Sequence, residues 1–139
     1  MFSAPVNLVA IVVAAIAYMV VGYLWYSDTL FGKPWRRLAE MKDGAMSSKN
    51  TMVKSMLMSF VTALVMSYIL AHFIVYAEEN TLLGGAKIAF WSWAGFVATM
   101  GANDFIFTVK PKPWSLYFIN TGNILVGLLV MGGILGMWK

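Results

Sequence analysis

Four stretches of this chain carry no charged side chain: residues 1–27, 55–77, 88–103 and 113–138, which are 27, 23, 16 and 26 residues long. A helix needs about 20 apolar residues to cross a hydrocarbon core of roughly 30 Å. Three runs reach that length outright. The third reaches it by continuing through Asp104 to about Thr108, which makes Asp104 a candidate intramembrane carboxylate. The runs are continuously apolar rather than alternating, which favours helices over barrel strands. The expected fold is therefore an all-α integral membrane bundle of four transmembrane helices, near 5–26, 53–77, 86–108 and 114–137. The loops are short, and residues 1–139 form one transmembrane domain without linkers or low-complexity segments.

Composition agrees. The chain is 60% apolar and 12% charged, with a mean hydropathy of +0.75, against about 25% charged residues in an ordinary soluble domain. Too little polar surface remains to cover a water-soluble globule, which excludes a cytosolic enzyme and a nucleic-acid-binding domain. Cysteine is absent, so disulfides and Cys-ligated metal centres are excluded.

Lys and Arg set the orientation. Lys33, Arg36, Arg37, Lys42, Lys49, Lys54, Lys110 and Lys112 fall in the first and third loops, and only Lys87 and Lys139 on the other side. Eight against two places loops one and three in the cytoplasm and both termini outside. The net charge of +4 then reflects topology and affinity for anionic headgroups. The first helix lacks a basic leading segment and ends in Trp25-Tyr26, so it is expected to stay in place rather than be cleaved.

Trp25, Tyr26 and Trp114 sit where aromatic belts mark the membrane interface. Pro5 is expected in the first turn of helix one. In the first loop Gly32 breaks the chain, and Pro34 can open a short interfacial helix ending near Gly44. There Trp35, Leu38 and Met41 form an apolar stripe, with Arg36, Arg37, Glu40 and Lys42 off it. Ser47, Ser48 and Asn50 are N-cap candidates for helix two, and Glu78-Glu79-Asn80 with Gly84-Gly85 make the outer turn. Ala94, Ala98 and Ala102 on helix three, and Gly132 and Gly136 on helix four, are small residues at a spacing that lets backbones approach in lipid. They can pack within the chain or between chains, and a homo-oligomer or larger membrane complex is expected.

The polar groups within the spans converge at one depth. Asn103 and Asp104 lie in the cytoplasmic third of helix three, and Asn120 and Asn123 in the cytoplasmic third of helix four, with Tyr26, Ser27, Ser59 and Thr62 at a similar level. One reading makes Asp104 a cation or proton site with the three asparagines as oxygen ligands. The other pairs Asp104 with Lys54, Lys110 or Lys112 and makes the asparagines interhelical hydrogen-bond glue. His72, the only histidine, is expected to cap the outer end of helix two near Glu78 and Glu79. Topology separates it from Asp104, so no Ser-His-Asp geometry forms. No metal or cofactor site is expected, and the eleven methionines read as core fillers.

Two stretches carry a resemblance. Gly22-Tyr23-Leu24-Trp25-Tyr26-Ser27, followed by Leu30-Phe31-Gly32-Lys33 and Trp35, resembles the opening signature of a bacterial membrane family, domain of unknown function 1761. Phe118-Ile119-Asn120-Thr121-Gly122 and Leu129-Val130-Met131-Gly132-Gly133-Ile134-Leu135-Gly136 are similar to its last helix. The resemblance implies a four-helix integral membrane protein with no assigned activity, and it transfers no catalytic residue; the membrane expected is the bacterial inner membrane. Asn123 departs from the pattern, where an aromatic residue is expected. The function read from the sequence is a non-enzymatic membrane component, such as a scaffold, accessory subunit or lipid-interacting protein. The alternative is a minimal channel or transporter built around Asp104.

Overall fold

The computed structural model describes residues 4–39 and 49–138, and within them the chain is all-α, with helices joined by short turns and without strands. The helices are α1 (Leu8–Trp25), α2 (Gly32–Leu38), α3 (Lys49–Tyr76), α4 (Leu82–Ser92), α5 (Ala98–Ile106) and α6 (Trp114–Met137). A π-helical turn, Trp93–Val97, joins α4 to α5 without a break. α1, α3 and α6 are each long and apolar enough to cross a membrane. The third apolar run is thus a composite of two shorter helices through one widened turn.

Helix ends follow local chemistry. α1 starts later than expected, with Pro5 ahead of it, because the Asn7 side chain accepts from the backbone N–H of Val9 (3.0 Å) and Ala10 (3.1 Å) and fixes the cap there. α4 starts earlier than expected. Thr81 Oγ1 accepts from Gly84 N–H at 2.9 Å, so Gly84 and Gly85 lie inside the helix rather than in the turn. The turn between α3 and α4 is instead made by Glu78 at φ 57°, with Glu78 N–H on the Val75 carbonyl (3.0 Å) and Glu79 N–H on the Ile74 carbonyl (3.2 Å). That hydrogen-bond pair is the Schellman C-terminus usually made with glycine. Pro34 sits in the first turn of α2, where its missing N–H is harmless. Of the expected interfacial stripe, Trp35 and Leu38 are on α2, while Glu40, Met41, Lys42 and Gly44 lie outside the described residues. So do the cap candidates Ser47 and Ser48; Asn50 is within α3.

α6 is the hub, touching every other helix, and its closest partner is α4. A Cβ on Gly132 would stand 2.7 Å from the Ala89 methyl, and one on Gly136 2.9 Å from the Gly85 Cα. Only hydrogen fits at these positions. The G-x-x-x-G pair is therefore used inside the chain, against α4, and not between chains. Beside this seam Ala10, Ile11, Ala14, Leu70, Ile74, Leu128 and Met131 form a buried core. Ser67, fully buried, donates from Oγ to the Ile11 carbonyl at 2.9 Å and ties α3 to α1. The buried residues of α1 and α3 lie in one half of the bundle: Ala10 to Ala15 on α1, and Ala63 to Ile74 on α3.

Candidate functional site

At the other half of the bundle, α1 ends in a tightly wound turn. Tyr26 N–H reaches the Gly22 carbonyl (3.1 Å), Phe31 N–H the Trp25 carbonyl (3.0 Å) and Gly32 N–H the Ser27 carbonyl (2.9 Å). A Cβ on Gly32 would fall 2.7 Å from the Ser27 oxygen, so this return of the chain requires glycine. Ser27 Oγ closes the turn on the Leu24 carbonyl at 2.6 Å. Trp25 packs on Phe31 (ring centroids 4.5 Å apart) and Tyr26 on Trp35 (5.0 Å). Arg36 pairs with Asp28 across the same turn. The hydrogen bond and charge of Arg36 hold the exposed Asp28 carboxyl below its ordinary range.

This turn grips α6 by side-chain tips. The Trp25 indole N–H donates to the Ile119 carbonyl at 2.9 Å, and Tyr26 Oη donates to Asn120 Oδ1 at 3.0 Å. The Asn123 side chain reaches the same tyrosine hydroxyl. Asn123 Oδ1 itself is buried and has no hydrogen-bond partner among the described residues; a Cβ on Gly22 would stand 3.9 Å from it. From the opposite side, the Trp93 indole in the π turn donates to the Thr121 carbonyl at 2.9 Å, and Tyr117 Oη to the Ala98 carbonyl at 2.7 Å. Two helical segments on either side of α6 are thus fastened to consecutive levels of it. Apolar bodies with one polar tip suit this task in a medium without water.

Of the expected polar belt, the structure brings Tyr26, Asn120 and Asn123 together and leaves the rest apart. Asn103 and Asp104 are exposed, and among the described residues their side chains form no hydrogen bond or ion pair. Ser59 and Thr62 are exposed on α3, where Thr62 Oγ1 bonds back to the Ser59 carbonyl. Ala94, Ala98 and Ala102 are half-buried. Arg36, Arg37 and Trp114 are exposed, and Trp114 stacks on Phe105, over which Lys112 also lies.

His72 differs from its expected place. It is buried in α3, six residues before Glu78, with Nδ1 2.8 Å from the Tyr68 carbonyl one turn back and its ring on Tyr68, so it packs along its own helix rather than at the turn. Among the described residues no three His, Asp or Glu side chains come together as metal ligands. Sequence reading missed the roles of Trp93 and Tyr117 by treating aromatics as interface anchors. The available signal was a polar-tipped aromatic well inside an apolar run.

Comparison with curated proteins and with solved structures gave no match. With its Gly22–Trp35 turn and its glycine-rich last helix in place, the chain matches over residues 9–136 the family described as protein of unknown function (DUF1761), and it belongs to that family.

Proposed function

We propose that this is a non-enzymatic component of the bacterial inner membrane, crossing it four times with both termini outside. Leu82–Ile106 serves as the fourth span. Its 25 residues of uninterrupted helix are about 37 Å long at 1.5 Å per residue. The protein acts as a small lipid-embedded scaffold whose cytoplasmic face presents Trp35, Arg36, Arg37, Lys110 and Lys112 to anionic headgroups.

The observation that carries this reading is the use of the polar side chains. Trp25, Tyr26, Asn120, Trp93 and Tyr117 are engaged in joining helices to one another, while Asp104 stands outside that cluster. A path for a cation would want the carboxylate facing the asparagines across a polar cavity. The small-residue face at Ala94, Ala98 and Ala102 is available to a second copy or a partner, since Gly132 and Gly136 are already filled by α4.

Proteoliposomes test the choice between scaffold and transporter. A proton or potassium gradient across vesicles containing the protein is expected to decay as in protein-free vesicles. Faster decay that is lost in Asp104→Asn would overturn the scaffold reading. Reporter tags at residues 28–39 and 78–80 should report cytoplasmic and external sides respectively.

A further inference from the structure

We infer that the cleft between α1 and α3 is a binding site for one anionic phospholipid, with an acyl chain in the cleft and its phosphate at Lys49 and Lys54; this rests on the membrane reading above. The two helices are tied where Ser67 Oγ reaches the Ile11 carbonyl, at a level where small residues, Ala10 and Ala14 on α1 and Ala63 and Ser67 on α3, are buried. Toward the basic end the residues are large, and the helices leave a groove of about 570 Å³ between them. Ile16, Val20 and Tyr23 form one wall and Val53, Met56 and Phe60 the other. No polar group other than the Tyr23 hydroxyl belongs to those walls, so a hydrocarbon chain suits the groove and a polar solute does not.

Charge selects the headgroup. Lys49, Val53, Met56 and Phe60 follow at intervals of four, three and four, which is one face of a helix. The stripe that lines the groove therefore ends in a lysine at its mouth. Lys54 lies one helical turn from Leu57, another lining residue. Both lysines are exposed, and the first turn of α3 contains no acidic residue to neutralise them. The N-terminal end of the helix dipole adds partial positive charge there. A second groove, of about 350 Å³ between α3 and the π turn, is equally apolar, with Val65, Phe73, Phe96 and Ile124 in its walls; neither groove has a lysine or arginine in its walls, and Lys49 and Lys54 lie one turn from those of the first. It supplies an internal comparison.

The test uses the full chain in mild detergent, titrated with phosphatidylglycerol or phosphatidylcholine of matched acyl chains and read by native mass spectrometry. One phosphatidylglycerol per chain is expected to be retained in preference to phosphatidylcholine. Lys49→Gln and Lys54→Gln should each weaken phosphatidylglycerol retention about five-fold, the effect of one basic residue near an anionic surface, and leave phosphatidylcholine unchanged. Met56→Trp, which fills the groove, should weaken both lipids, whereas Val65→Trp in the second groove should change neither. Circular dichroism and size exclusion confirm that the variants fold.

Equal retention of the two lipids by the unaltered protein would overturn the proposal. So would a preference that survives both lysine changes, or retention indifferent to Met56→Trp. A dimer that Met56→Trp dissolves would assign the groove to a second copy instead. Failure of the membrane reading is seen separately, as release of the protein from membranes by alkaline wash before any lipid is added. The flux result leaves the lipid measurement untouched.

Discussion

Trp25 and Ile119 are 94 positions apart in the chain, yet the indole N–H of one lies 2.9 Å from the carbonyl oxygen of the other. The bond joins the last residue of α1 to the first third of α6, and Gly122 is shaped to it: a Cβ there would stand 3.1 Å from the Trp25 ring. Trp25→Phe keeps most of the apolar body and removes the donor. The expected loss of stability is about 1 kcal/mol, the net value of one such hydrogen bond, measured by SDS-driven unfolding in mixed micelles. An unaltered midpoint would show that the bond holds nothing that lipid cannot replace.

Asn123 presents the opposite case, a polar group whose Oδ1 gains nothing from its burial. A buried acceptor without a partner costs about 1–3 kcal/mol. Asn123→Leu is similar in size and removes that cost, while giving up the contact with the Tyr26 hydroxyl. Tyr26 keeps its bond to Asn120. The variant is expected to be as stable as the parent or more so, by up to about 2 kcal/mol. A clear destabilisation in the same unfolding assay would mean that Asn123 oxygen has a partner in the membrane.

Much of this architecture is legible in the residues, and the reasons for the rest are physical. The charge-free runs mark α1, α3 and α6 because length and apolarity are one-dimensional properties. Gly132 and Gly136 announce a close approach, but spacing does not name the partner; the complementary Gly85 reads as a turn residue until Thr81 is seen to cap the helix before it. The π turn at Trp93 has no composition signal, and it decides which way the aromatic tips of helix three point. Asp104 stands exposed and apart from Asn120 and Asn123 for a related reason. Depth can be read by counting residues, whereas facing depends on helix rotation, and one widened turn shifts the rotation of everything after it.

Asp28 gives the interfacial turn a pH dependence whose sign is fixed. Its carboxyl is lowered chiefly by the hydrogen bond from Arg36 and then by the charge of Arg36. A carboxyl with a lowered folded pKa contributes stability above its ordinary value and loses that contribution as pH falls through the folded value. Order in the 26–36 turn is therefore expected to be constant from neutral pH down to the ordinary carboxylate range and to weaken only below it. Carboxyl NMR titration should place Asp28 under the usual aspartate value, and Arg36→Gln should return it there. Because both groups are exposed, the effect should shrink in high salt. A titration identical in the two proteins would break the link.

The α4–α6 seam allows the most direct challenge to the fold, because it is where the backbones leave no room. A Cβ on Gly132 would meet the Ala89 methyl at 2.7 Å and the Gly85 carbonyl carbon at 3.0 Å. Two of the obstacles are main-chain or rigidly attached, so relief requires the helices to separate rather than a side chain to rotate. Gly132→Val is expected to cost about 1–3 kcal/mol, the usual penalty for overpacking, and possession of the β-branch makes adjustment harder than for alanine. Gly95→Val supplies the control: nothing lies within 4 Å of a Cβ at that position, and its exposed face should accept the larger side chain with little effect on the unfolding midpoint. If Gly132→Val were as well tolerated as Gly95→Val, α4 would not pack on α6 through Gly132, and the composite path of the third apolar run would have to be redrawn.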